Sequence, residues 1–336
     1  QKIYPKWVSK TTGTVELQII DKAASSGRPV NVNSLAAIFA KGFLAGLVVC
    51  FALATVYLLS VRTVRKESDM KQITSARCIS CIPEVVPKKR SNNKKLKLLI
   101  TNKRIDWGFK QSMLMIQSRL QQIMRRTGDK VLLITSTIPA EGKTMTSVNM
   151  ALAFAQEGMK VALLDGDLRK PSVCELMKLP EGPGLTEYFR GESTPEEIQV
   201  VKDGVTFFRA GQKKGKVSGL IDEEKMNSLL EKLRKEYDVI LMDAAPSYVF
   251  SDAMILSSYA DKVLYVVRVD KADAKAIQVG MNSFEEKEKL IGYVINRDTG
   301  GYISQSRYGY GRYGKYQKYR KYAELDEETM NTEDTL

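Results

Sequence analysis

The chain has 336 residues, of which 52 are Lys or Arg and 39 Asp or Glu, giving a net charge of +13. That length admits one medium α/β domain with appendages, and the charge asks for an anionic partner: lipid, nucleotide phosphate, nucleic acid or acidic polysaccharide. No histidine and only four cysteines exclude a disulfide scaffold and any metal site or catalytic dyad that needs imidazole, leaving carboxylates, lysine and magnesium for chemistry.

The chain opens on Gln1 rather than methionine, which reads as a portion of something longer. Residues 1–34 hold one alternating stretch, Thr14 to Ile20, suited to a strand; too few to fold alone, they read as an extracytoplasmic remnant and stalk. From Leu35 to Val61 almost every residue is apolar, long enough for a single transmembrane helix. Arg62, Arg65 and Lys66 follow at once, and a second basic run from Lys88 to Arg104 follows them, so the positive-inside rule places everything beyond in the cytoplasm. Residues 62–106 read as a basic juxtamembrane linker, either lying on anionic lipid or simply solvated. Cys78 and Cys81 have half-zinc or redox spacing, but no second pair accompanies them and they read as incidental.

From Lys130 onward, short apolar runs alternate with helical stretches: Val131–Ile134, Val161–Leu164, Val205–Phe208, Val239–Met242, Val263–Val267 and Ile291–Ile295. Continuous apolarity is what strands covered by helices on both faces show, so residues 107–299 are expected to form an α/β domain with a doubly wound, mostly parallel sheet of the P-loop NTPase type. Residues 300–336 have no apolar period and read as a disordered, tyrosine-rich tail.

Three strand ends carry the chemistry. After the first run, Thr137-Ile-Pro-Ala-Glu-Gly-Lys-Thr144 opens a helix, the context a phosphate-binding loop requires, although Thr137 stands where the pattern has glycine. Its turn aims backbone N–H groups at phosphate oxygens, with Glu141, Gly142 and Thr146 in the nucleotide-binding set, Lys143 reaching the β- and γ-phosphates and Thr144 ligating magnesium. The second run ends in Asp165-Gly-Asp167 and the fourth in Asp243, on the edge of a parallel sheet where ligands bind. Asp243 and Asp167 are read as magnesium-shell residues, and Mg-ATP follows as the expected ligand. Finally, Tyr302, Tyr308, Tyr310, Tyr313, Tyr316, Tyr319 and Tyr322 crowd the tail. They suit either a basic aromatic arm for nucleic acid or polysaccharide, or, beside an ATP site, phosphoacceptors whose modification would reverse the tail's charge.

The phosphate loop, Leu163-Leu-Asp-Gly-Asp-Leu-Arg-Lys-Pro171, the strand to Asp243 and the tyrosine cluster, in that order, together resemble the bacterial tyrosine kinases. Gly184-Leu-Thr-Glu-Tyr-Phe-Arg-Gly191 is also similar to a stretch those kinases carry, and the membrane helix with its basic linker resembles their attached polysaccharide co-polymerase module. The resemblance implies autophosphorylation of the tail in trans within a homo-oligomer at the bacterial inner membrane, coupled to polymerisation and export of capsular or extracellular polysaccharide. It implies as partners the polysaccharide polymerase and export machinery and a phosphotyrosine phosphatase, and no nucleic acid. Lys143, Asp165 and Asp167 become the catalytic set, with Asp165 as general base, and Asn296 falls where related ATPases contact adenine. The sequence departs from the family at Ala244-Ala245-Pro246, where Thr-Pro-Pro is usual. It departs again at Gln111, Leu114 and Gln117, where a Glu-x-x-Arg-x-x-Arg packing pattern is usual. The family's extracytoplasmic domain and first membrane helix are not in this sequence. A nucleotide switch of the MinD/ParA type, or a catalytically weak nucleotide-binding regulator of polysaccharide assembly, remains the competing expectation.

Overall fold

The computed structural model describes residues 35–60, 62–85, 98–212, 219–285 and 288–298, in two units divided after Ser60. The Thr14–Ile20 stretch, most of the second basic run and the tyrosine tail lie outside the described residues. The first unit is helix α1 (Leu35–Ser60). Its segment Leu35–Val56 has a mean hydropathy of 2.2 and no buried share, with Phe39, Phe43, Leu47 and Phe51 all exposed, so it is long and apolar enough to cross a membrane.

The second unit is built on one eight-stranded sheet, and its short helices are α2 (Glu67–Met70), α5 (Val173–Met177) and α6 (Leu185–Arg190). In chain order its strands are β1 (Cys78–Pro83), β2 (Val131–Ser136), β3 (Val161–Asp165), β4 (Gln199–Lys202), β5 (Val205–Phe208), β6 (Val239–Asp243), β7 (Lys262–Arg268) and β8 (Leu290–Asp298). They lie side by side as β1-β8-β7-β2-β6-β3-β5-β4, and every neighbouring pair is parallel except β4 with β5. Successive residues of each core strand serve opposite cores. Leu132, Ile134, Leu163, Leu241 and Val266 meet helices α3 (Trp107–Thr127) and α4 (Lys143–Gln156). Val131, Leu133, Leu164, Met242 and Tyr265 meet α7 (Glu223–Glu236), α8 (Asp252–Tyr259) and α9 (Ala274–Glu285). Covering both faces is what makes the apolar runs continuous. Local chemistry sets the helix ends: Asp106 accepts the Gly108 N–H to open α3, and Gly128 closes it at φ 76°.

The described parts of the segment 62–106, residues 62–85 and 98–106, pack on the α/β unit, and here the structure corrects the sequence reading of a linker. Val64 and Met70 are fully buried, the Asp270 N–H donates to the Val64 carbonyl at 2.9 Å, and β1 joins the sheet beside β8. Asn149 of α4 accepts the Ile100 N–H and donates to the Leu98 carbonyl, both at 2.8 Å. The strand was hidden because Ser80 interrupts its short apolar run; β1 is also bulged. Cys78 pairs with Tyr293 and Ser80 with Val294, two residues against one. Cys78 and Cys81 therefore sit in a sheet strand. The short edge strand β4 was also missed.

On α3, Gln117 is only 3% exposed and its Nε2 donates to Gln121 Oε1 at 3.1 Å. It faces this chain's own core rather than outward as a packing arginine would.

Because Ile82 of β1 is fully buried against α3, Ile82→Ala is expected to cost about 2–4 kcal/mol of unfolding free energy. Thermal unfolding of the detergent-solubilised chain checks this; an unchanged melting temperature would return the segment to the status of a linker.

Candidate active site

Between β2 and α4 the chain makes a tight loop that no ordinary backbone could follow. Ala140 adopts φ 67° and Gly142 φ 98°, and a Cβ at 142 would stand 2.1 Å from Asn296 Nδ2, so glycine is required there. Glu141 is the loop's internal strut. Its carboxylate is wholly buried and accepts the N–H groups of Ile138 (2.8 Å) and Arg268 (3.3 Å), while burial pushes its pKa up to about 7. A ligand contact by Glu141 thus falls to its backbone, not to its side chain. Asn296, at the end of β8, donates to the Glu141 carbonyl at 2.7 Å, and Arg268 Nη1 donates to the Ala140 carbonyl at 3.0 Å. In this structure Asn296 therefore braces the loop.

Lys143 is the first residue of α4, and its ammonium reaches across the sheet edge to Asp167 Oδ2 at 2.7 Å and Asp243 Oδ2 at 3.3 Å. Thr144 Oγ1 donates to the same Asp243 oxygen at 2.6 Å, and Ser147 Oγ donates to Asp243 Oδ1 at 3.0 Å. Ser147 was not marked by the sequence pattern. It lies one helical turn after Lys143, and its hydroxyl stands on Asp243 in a chain whose Ala244 and Ala245 are buried and carry no hydroxyl. Asp165 pairs in register with Asp243 on the adjoining strand. One of its oxygens accepts the Val173 N–H at 3.2 Å; the other, Oδ1, is buried with no hydrogen-bond partner, as is Thr146 Oγ1.

Electrostatics explain the protonation pattern. Burial lowers the Lys143 pKa, but Asp243 and Asp167 outweigh it and the net shift is upward. Burial first, then the charge of Asp243, pushes Asp165 up to about 8. With all groups ionised, one ammonium faces three carboxylates, so the cluster is short of positive charge.

These residues fit a phosphate and a magnesium ion. The loop offers backbone N–H groups at a helix start, Thr146 Oγ1 is an unspent donor, and the deficit of positive charge suits a dication. Among the described residues no three carboxylate or cysteine side chains converge to cage a metal unaided. Magnesium at phosphate sites takes only one or two protein oxygens and the rest from phosphate and water.

A buried chain of hydroxyls fixes the loop's first residue. Tyr265 on β7 donates to Thr137 Oγ1 at 3.2 Å and lies 2.9 Å from Ser247 Oγ; the Ser247 N–H in turn bonds the Ser136 carbonyl at 2.8 Å. Thr137, in the place of the usual glycine, is thus held through its hydroxyl. Gly280 of α9 leaves room for this node, since a Cβ there would meet the Tyr265 hydroxyl at 2.3 Å.

A family model described as the NUBPL iron-transfer P-loop NTPases of the ParA group matches residues 128–274. The tyrosine-protein kinase CpsD of Streptococcus pneumoniae is 34% identical over 196 residues, covering 54% of this chain and 82% of that protein. The tyrosine-protein kinase YwqD of Bacillus subtilis is 32% identical over 185 residues, covering 54% and 77%. A longer Klebsiella pneumoniae protein of a cps region is 25% identical over 317 residues, 90% of this chain but 43% of that protein, so the chain spans less than half of that relative. The kinase domain of the Escherichia coli tyrosine kinase ETK superposes with a TM-score of 0.64 at 24% identity, over 74% of this chain and 100% of that domain, which establishes the fold.

Two predictions follow from the geometry. An aspartate near 8 when folded and about 4 when unfolded binds its proton more tightly in the fold, so its contribution to stability is present below pH 4 and lost as pH climbs through 8. Asp165→Asn should therefore raise the melting temperature of the nucleotide-free, metal-free chain, by an amount that grows from pH 5 to pH 8. Tyr265→Phe, which deletes only the node's hydroxyl, is expected to weaken nucleotide binding about 3–10-fold, measured by titration with a fluorescent nucleotide.

Proposed function

The chain belongs to the bacterial tyrosine-protein kinases, and from that premise we propose that it is an ATP-dependent autokinase acting on the tyrosines of its own C-terminal tail. The observation that carries this reading is the placement of Lys143 between Asp167 and Asp243, with the buried Asp165 beside them, at the ends of three adjoining strands. Lys143 and the backbone of the loop would hold the β- and γ-phosphates, and Thr144, Asp167 and Asp243 would hold magnesium directly or through water. Magnesium, when bound, supplies charge neutralisation on the phosphate oxygens. The acceptor's phenolic oxygen forms the new bond to the γ-phosphorus as the bridging bond to the β-phosphate breaks, ADP leaves, and the phenolic proton passes to Asp165. Asp165 must be ionised to take that proton: by themselves burial and the charge of Asp243 hold it near 8, and a dication beside the cluster would favour its ionised form.

Helix α1 anchors the kinase in the bacterial inner membrane, and the basic residues after it keep kinase and tail in the cytoplasm, where the run 88–104 meets anionic lipid. The tail tyrosines Tyr302 to Tyr322 serve as acceptors for neighbouring copies in a homo-oligomer. Their phosphorylation, reversed by a phosphotyrosine phosphatase, regulates capsular or extracellular polysaccharide polymerisation and export.

Intact-mass analysis of the purified chain before and after Mg-ATP tests the reading. Successive phosphate additions that map to Tyr302–Tyr322 and fall at least about 100-fold in rate with Lys143→Met are expected. ATP binding or hydrolysis without added mass would leave a nucleotide switch or regulator instead.

A further inference from the structure

Two successive carbonyls of the phosphate loop are held from outside by side chains. Arg268 Nη1 donates to the Ala140 carbonyl at 3.0 Å, and Asn296 Nδ2 donates to the Glu141 carbonyl at 2.7 Å. The two donors stand at one level of the sheet, since Arg268 ends β7 and is the register partner of Asn296 on β8. Arg268 grips the loop twice: its own N–H also donates to the Glu141 carboxylate, at 3.3 Å. Asn296 is 5% exposed, and its Oδ1 accepts the Arg297 N–H at 2.9 Å, so both the nitrogen and the oxygen of that amide are engaged.

A trans peptide points its C=O and its N–H in opposite directions. Fixing the Ala140 carbonyl therefore fixes the N–H of Glu141, and fixing the Glu141 carbonyl fixes the N–H of Gly142, each aimed away from the side chain that holds it. Among the described residues neither N–H meets an acceptor. Left-handed backbone at Ala140 (φ 67°) and Gly142 (φ 98°), on either side of Glu141, turns successive N–H groups toward one concave side, an arrangement that takes an anion. Alanine rarely adopts that φ unaided, so the shape calls for restraint from outside the loop.

We propose that Arg268 and Asn296 are positioning residues for phosphate: by pinning two successive carbonyls outward they preset the N–H groups of Glu141 and Gly142 for the phosphate oxygens of the nucleotide. Asn296 then acts on phosphate affinity through the loop and not by reading the base. This rests on the phosphate loop of the kinase reading and needs no transfer to tyrosine.

Magnesium pyrophosphate, which carries phosphates without a base, is titrated into the full chain in detergent micelles by calorimetry, alongside Mg-ATP. Arg268→Met is expected to weaken pyrophosphate binding about 3–10-fold and Asn296→Ala about tenfold. Arg268→Lys, which keeps a donor, should stay within about twofold of the unmodified chain. The losses should persist at about 0.5 M KCl, where attraction between Arg268 and the phosphates at a distance is screened, and Asn296→Ala should weaken ATP by the same factor as pyrophosphate. Unchanged pyrophosphate affinity in either variant, or a loss in Arg268→Met that disappears in high salt, overturns the role given to that residue. A loss of ATP affinity without loss of pyrophosphate affinity in Asn296→Ala would show base recognition and overturn it as well. Should Asn296→Ala fail to fold, the two Arg268 variants decide alone. If the unmodified chain binds neither ligand, the phosphate-loop reading itself falls, whereas failure of the variants alone leaves ATP binding and the kinase reading intact.

Discussion

The ion cluster around Lys143 is the constraint on which the rest of the site depends. Its ammonium starts helix α4, where the helix dipole is already positive, and it lies almost out of reach of water. An isolated charge in such a place costs several kcal/mol. Asp167 and Asp243 offset that cost from two further strands, which requires β2, β6 and β3 to stand side by side, as the strand order has them. The carboxylates have the converse problem. Three of them share one ammonium: burial and the charge of Asp243 raise the Asp165 carboxyl, and burial raises Asp243 as well, against the pull of Lys143.

The same imbalance prepares the site for its ligand. Phosphate entering at the start of α4 brings negative charge to the N–H groups of the loop and to Lys143, and so competes with Asp167 and Asp243 for the ammonium. Magnesium relieves the carboxylates released in that exchange. Nucleotide and metal are therefore expected to bind together more readily than either alone, because each removes the charge the other would leave unpaired.

Much of this was legible in sequence because it follows from period and spacing. Six apolar runs became six strands, and each acid that ended a run in the pattern, Asp165 and Asp243, stands at the same sheet edge as Lys143. What escaped did so for identifiable reasons. Ser80 interrupts the short apolar run of β1, and the basic residues around it made the segment look solvated. Glu141 reads as a ligand residue in a phosphate-loop pattern, yet its side chain turns inward because two buried backbone N–H groups need an acceptor. Tyr265, Ser147 and Ser247 belong to no pattern at all. Their roles arise from contacts between residues up to 128 positions apart, which no local window contains.

Residues 62–85 belong to the same unit as the site. β1 pairs with β8 along its length, ending with Pro83 opposite Asp298, the Glu84 N–H on the Asp298 carbonyl at 3.1 Å and Arg297 3.6 Å from Glu84. One residue earlier on β8, Asn296 braces the phosphate loop through Glu141, and beyond Asp298 begins the segment that leads to the tyrosines. The strand that follows the apolar helix α1 in sequence is thus laid directly against the strand that both supports the phosphate loop and leads to the tail. Pulling β1 away would uncover a row of backbone hydrogen-bonding groups on β8 and loosen the register that sets Asn296. A segment that a sequence reading assigns to tethering is, by this pairing, part of what holds the loop in its working shape.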